Sequence, residues 1–172
     1  MNKNLVRILT RGGVIAALYV IFTVPLGALA FGIALGPVSV QFRPAEALTV
    51  LPILFPEAVP AVFLGVALSN FISQFGWIDV VFGSLITLAA AAVTRLTRRT
   101  IVAWLSPIIF NALFISVYVA WFITDEWWTT VYWIAYAQQF ISIAISQTLV
   151  VFLLGVPLIR LTRRYMDKKN HL

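Results

Sequence analysis

The feature that most constrains this chain is a series of long apolar runs that carry almost no charge and stop at small groups of arginine. One run extends from Gly12 to Leu35, another from Ile101 to Ile123, and a third from Trp127 to Ile159, stopping at Arg160, Arg163 and Arg164. A helix needs roughly 20 apolar residues to cross a hydrocarbon core about 30 Å thick. Only 10% of the 172 residues are charged and 62% are hydrophobic, with a mean hydropathy of +0.99. A soluble domain carries roughly 25% charged residues and keeps its exposed apolar patches small. The sequence therefore predicts an all-α integral membrane protein with a single membrane domain over 1–172.

Six segments can be read. The first starts at about Arg11 and ends at about Val24, and a Gly-rich stretch from Leu26 to Gln41 leads to Phe42-Arg43-Pro44. The second, Ala45 to Phe55, is short and holds Pro52; at about 1.5 Å per residue it spans about half a bilayer. Pro56-Glu57 breaks the chain. The third runs from Ala58 to Phe75, the fourth from Ile78 to Val93, the fifth from Ile101 to Ile123 and the sixth from the Trp127 cluster to Ile159. The expected architecture is a compact bundle of six transmembrane helices with a long first outer loop and a short, broken second helix. The first run is longer than the roughly 7–15 residues of a signal-peptide core, so it is expected to be a retained helix.

Charge sets the expected orientation. Six spans place Lys3, Arg7, Arg11, Arg95, Arg98, Arg99, Arg160, Arg163, Arg164, Lys168 and Lys169 on one side, against Glu57 and Asp167. The other side holds Arg43, Glu46, Asp79, Asp125 and Glu126. Basic residues mark the cytoplasmic side, so both termini are expected there, in the cell membrane of a prokaryote. Trp127, Trp128 and Trp133 would form an aromatic belt at the outer interface. The net charge of +6 is juxtamembrane rather than gathered on one face, which excludes nucleic-acid binding.

Several chemistries are excluded by residue type. The chain has no cysteine and its one histidine, His171, is next to the last residue, so disulfides, thiolate or histidine metal sites and a cysteine nucleophile are all ruled out. No phosphate-binding glycine loop, zinc signature or nucleophile elbow occurs, and no cofactor is expected. The chain has no visible means of using ATP.

Ionisable and amide side chains at membrane depth are costly and need a reason. Arg43 and Glu46 lie three apart where the loop enters the second segment; they either neutralise one another or bind and orient a ligand. Asn70, Ser73 and Gln74 form a polar stripe at the end of the third segment, followed by Asp79. Asp79 is either an N-cap or a site residue, and the amides either bond between helices or meet a ligand. Convergence favours a site, because Glu46, Asn70, Gln74 and Asp79 all fall in the outer half of adjacent helices. Asn111, Tyr118, Tyr136, Gln138, Gln139 and Ser142 are placed to close it, and Gln147 is read as too deep. On the first helix, Gly12/Ala16 and Gly13/Ala17 are small-xxx-small pairs, suited to packing inside the bundle or to docking another membrane subunit.

This layout resembles the substrate-binding S components of energy-coupling factor (ECF) transporters. Within them, Val40-Gln41-Phe42-Arg43-Pro44-Ala45-Glu46-Ala47-Leu48 and Asp79-Val80-Val81-Phe82-Gly83-Ser84-Leu85 are similar to the QueT family of queuosine-precursor S components. The resemblance implies a non-enzymatic capture subunit that takes up a micronutrient with a T subunit and two ATPase subunits. It also implies that small residues on the first helix, Gly12, Gly13, Ala16 and Ala17, touch the T subunit, although the strict AxxxA pattern is absent. The implied ligand is 7-aminomethyl-7-deazaguanine, with Glu46 and Asp79 dividing its guanine-like edge and its ammonium between them. Arg43, Asn70, Gln74, Asn111 and Gln138 would complete the polar contacts, and Tyr118 would stack on the ring. The competing readings are an S component for another vitamin or nucleobase, a membrane enzyme using Asp79 and Glu46, and a structural assembly subunit.

Overall fold

The computed structural model describes the backbone of residues 3–25, 33–35, 38–40, 43–73 and 75–170, with side chains over 4–25, 43–73 and 75–168. Six helices follow one another: α1 (Lys3–Thr23), α2 (Pro44–Ile53), α3 (Ala58–Asn70), α4 (Gly76–Leu96), α5 (Val102–Thr124) and α6 (Thr130–Lys168). Between α1 and α2, β1 (Ile33–Leu35) pairs antiparallel with β2 (Val38–Val40), Ile33 opposite Val40 and Leu35 opposite Val38. This ribbon is a small departure from a purely helical reading. Its β-branched residues flank Gly36-Pro37, a pattern that suits a hairpin.

Four helices, α1, α4, α5 and α6, are long and apolar enough to cross a membrane; α2 and α3 are shorter, at 10 and 13 residues. A short second segment was expected; the third, expected to run from Ala58 to Phe75, is shorter than read and ends at Asn70. A turn at Phe71–Ser73 ends α3 well before Phe75. In α2, i→i+3 winding offsets part of the shortfall, since a 3-10 helix rises about 2 Å per residue. The 39-residue α6 is about 58 Å long, more than a bilayer with its headgroups.

Burial explains why α2 need not carry a polar face. Every residue from Ala45 to Ile53 is buried, and all five other helices pack against it. The other helices also pack on one another, α3 on both α1 and α4, α4 on α5 and α5 on α6, so that α2 becomes the axis of the bundle. Its apolar side chains Leu48, Val50, Leu51 and Ile53 join Ile15, Tyr19, Ala61, Val62 and Val66 in the main core. Gly155 lets α6 approach: a Cβ there would sit 3.1 Å from a Val50 methyl.

The basic groups gather at one end. Arg11 Nη1 meets Glu57 Oε1 at 3.4 Å and its guanidinium lies 4.7 Å from the centre of the Phe55 ring. Arg95 donates to the carbonyls of Pro52 (3.2 Å) and Ile53 (3.5 Å), the last turn of α2. A cleft lined by Arg7, Arg11, Thr162 and Tyr165 puts the start of α1 beside the end of α6. At the other end, Trp121 stacks on Trp127 (5.5 Å between centroids) and Trp128 lies 5.6 Å from Trp133, all around the buried Tyr132.

Each long helix after α3 contains one π-wound turn: Asp79–Gly83 in α4, Asn111–Ile115 in α5 and Val151–Gly155 in α6. Pro107 and Pro157 lie within a turn of the last two, and each lacks the N–H that an α-helical ladder requires. Such turns carry an extra residue and re-aim the side chains they contain. The first presents Asp79 to Ser73 and to Tyr118 of α5, and the second presents Asn111 to Glu46 of α2.

Candidate functional site

Two buried acids define the polar centre. Glu46 is 2% exposed and sits in the first turn of α2. Its Oε1 accepts a hydrogen bond from Tyr19 Oη of α1 at 2.7 Å, and its Oε2 accepts from Asn111 Nδ2 of α5 at 3.2 Å and Gln147 Nε2 of α6 at 3.1 Å. Asp79 is 1% exposed. Its Oδ1 accepts from Tyr118 Oη at 2.6 Å and its Oδ2 from Ser73 Oγ at 2.6 Å, while its backbone carbonyl accepts from Asn70 Nδ2 at 2.8 Å. Asp79 therefore does not cap α4; it is the fourth residue of that helix and opens the π-wound turn.

Arg43 stands just before α2 and is half-buried, with Glu46 and Asp79 both within its electrostatic reach. Counted as two carboxylates and one guanidinium, the cluster has a formal charge of −1. Pairing a buried charge incompletely is expensive, because its desolvation is not offset.

Close approach at one glycine makes the Asp79 half possible. A Cβ on Gly83 would lie 2.6 Å from Asp79 Oδ1, 3.0 Å from Asn70 Nδ2 and 3.4 Å from Tyr118 Oη. A methyl group there would occupy the space in which the carboxylate meets its donors.

A small cavity of about 20 Å³ lies between Arg43, Glu46, Asn111, Ser146 and Gln147, with Ile115 and Ile143 as its apolar wall. That is room for about one water molecule. Asn111 lines this space, and its Oδ1 is buried and has no hydrogen-bond partner among the described residues. An unpaired buried acceptor costs about 1–3 kcal/mol unless something donates to it. Tyr118 presents its hydroxyl, not its ring face, to Asp79, and its ring packs edge-on to Phe75 at 6.2 Å.

The structure thus brings together Arg43, Glu46, Asn70, Asp79, Asn111 and Tyr118. Gln138 is not among them: it is exposed on α6, about 100° around the helix from its buried neighbour Gln139. Gln74 lies outside the described residues. Gln147, read from the sequence as too deep, is bonded to Glu46, because α2 begins well below the end of the bundle that α6 reaches. Tyr19 was also missing from the expected set, and Ser73, read only as part of the polar stripe, donates to Asp79. A signal for Gln147 was present in Gln139, Ser142, Ser146 and Gln147, a buried polar stripe at helical spacing. Of the small-residue pairs, Gly12 and Ala16 turn toward α3, whereas Gly13 and Ala17 are exposed, with nothing within 4 Å of a Cβ on Gly13.

The family described as "QueT transporter" matches residues 9–164, nearly the whole chain and every helix of the bundle. The chain belongs to the QueT transporter family. It is therefore placed among transport proteins rather than enzymes. One curated relative, "Queuosine precursor transporter QueT" of Lactococcus lactis subsp. cremoris (strain MG1363), is 43% identical over 75 residues. That alignment spans 44% of this chain and 41% of the relative, so the chain covers less than half of that protein's length. No solved structure matches the chain.

Proposed function

We propose that this QueT-family protein is the substrate-capture subunit of an ECF-type importer and binds a queuosine precursor, 7-aminomethyl-7-deazaguanine, between Glu46 and Asp79. The observation that carries this reading is the buried acid pair around a single arginine. The formal charge of −1 leaves room for one cation, and the aminomethyl group supplies it as an ammonium. The opposite edge of the base carries adjacent N–H donors that suit a carboxylate in bidentate fashion. Asn111 Oδ1 supplies an acceptor that lacks a donor among the described residues. The name of the Lactococcus lactis relative supports a queuosine precursor as the cargo.

The cavity of about 20 Å³ is far smaller than the roughly 300–1,000 Å³ of ordinary ligand pockets. Binding accordingly requires Tyr19, Asn111 and Gln147 to give up Glu46, or Tyr118 and Ser73 to give up Asp79. The ligand then replaces those donors with its own.

The proposed setting is the cell membrane of a prokaryote, with both termini and the Arg7, Arg11, Arg95 and Arg160 end cytoplasmic and the acid pair toward the outside. Energy comes from a T subunit and two ATPase subunits. The exposed Gly13/Ala17 pair on α1 is the face offered to the T subunit, and Gly12/Ala16 packs inside the bundle. The test is a thermal-shift titration of the purified protein with 7-aminomethyl-7-deazaguanine, 7-cyano-7-deazaguanine, guanine and a panel of vitamins. Stabilisation by the aminomethyl compound at micromolar concentration is the expected result. Stabilisation by a vitamin alone would assign the protein to another substrate, and no response to any deazaguanine would remove the reading.

A further inference from the structure

A second cleft lies at the basic end, between the start of α5 and the last third of α6, and is separate from the acid pair. It is a groove of about 590 Å³ whose wall is apolar along most of its length, with Ile101, Trp104, Phe152 and Val156, and which finishes at Arg160 and Arg163. The α6 residues recur at Phe152, Val156, Ile159, Arg160 and Arg163, one face of the helix over roughly 16 Å of its axis. Both arginines are exposed, and among the described residues the ion pair found is Arg11 with Glu57, so neither has an acidic partner there. No acidic residue lines the groove.

We propose that this groove binds one anionic phospholipid, its phosphate on Arg160 and Arg163 and an acyl chain along Trp104, Phe152 and Val156. The shape is that of an amphiphile: an apolar channel beside a helix, with two guanidiniums among its lining. Arginine forks suit phosphate oxygens, and basic pockets between membrane helices hold anionic headgroups. A neutral zwitterionic lipid matches the channel but places its choline beside the guanidiniums, so charge selects against it.

The experiment is a titration of the full-length protein in detergent with phosphatidylglycerol or phosphatidylcholine, read by thermal shift and by lipid adducts in native mass spectrometry. Phosphatidylglycerol should raise the melting temperature and give one retained adduct, and phosphatidylcholine should do neither. Glycerol phosphate, which carries the headgroup without the chains, should have no effect. Arg160→Gln with Arg163→Gln should weaken the response about tenfold to thirtyfold, whereas Arg160→Lys with Arg163→Lys keeps most of it and shows that the fold survives changes there. Arg98→Gln with Arg99→Gln removes the same charge from the same end outside the groove and should leave the response intact. Equal stabilisation by both lipids, an undiminished response in the Gln pair, or an equal loss in the Arg98/Arg99 pair would overturn the proposal.

Discussion

Gly65 of α3 lies so close to Tyr19 of α1 that a Cβ on the glycine would sit 2.7 Å from the tyrosine Cβ. The same Cβ would lie 3.2 Å from the Ala16 carbonyl oxygen. This contact fixes where Tyr19 stands, and Tyr19 donates to Glu46 at 2.7 Å. A glycine on the far face of α3 is thereby tied to the polar centre through one phenol.

Gly65→Ala is expected to push α1 off α3 and to destabilise the protein by about 1–3 kcal/mol, the range for overpacking. Gly13→Ala, into open space, should be neutral or slightly stabilising, because alanine is the better helix former. Thermal melts of the two variants check this. Equal melting temperatures would show that α1 is free to shift.

Gly83→Ala places a methyl group among Asp79, Asn70 and Tyr118. The expected outcome is at least a tenfold loss of deazaguanine affinity, with the bundle still assembled. Fluorescence or calorimetric titration measures it, and unchanged affinity would mean that Asp79 does not meet the ligand.

The two glutamines of α6 provide a paired comparison. Gln147→Leu removes a donor to Glu46 Oε2 and should lower affinity severalfold, whereas Gln138→Ala, on the exposed face, should leave binding unchanged. A larger effect at Gln138 would relocate the site toward the end of the bundle.

Orientation is open to a clean labelling test, since the chain contains no cysteine. Single cysteines at Arg98 and Asp125, both exposed, should react with a membrane-impermeant maleimide from opposite sides. In intact cells Asp125→Cys is expected to label and Arg98→Cys is not. The reverse result would invert the protein.

What the sequence made legible follows from what each signal depends on. Apolar run length and arginine stops located α5 to within a residue or so, because a membrane span leaves little freedom in either. The turn that ends α3 at Asn70 was less visible, since Phe71 and Ile72 continue the apolar run. Asn70 and Asp79 were singled out because amides and acids at such depth are costly whatever surrounds them. Tyr19 was not, for a tyrosine in an apolar helix reads as core, and only the fold shows its hydroxyl reaching Glu46, 27 residues away. Gln138 and Gln139 are adjacent in sequence, so choosing between them required the rotation of α6, which packing sets.

The central claim is that Glu46 and Asp79 form a charge-selective site, and isosteric neutralisation tests it most directly. Calorimetric titration of the wild type, Glu46→Gln and Asp79→Asn should be run with 7-aminomethyl-7-deazaguanine and with its neutral 7-cyano counterpart. The wild type should prefer the aminomethyl compound, and one of the two substitutions should largely abolish this preference, lowering cation affinity about tenfold to a hundredfold. A preference that survives both substitutions, or a wild type that favours the cyano compound, would contradict it.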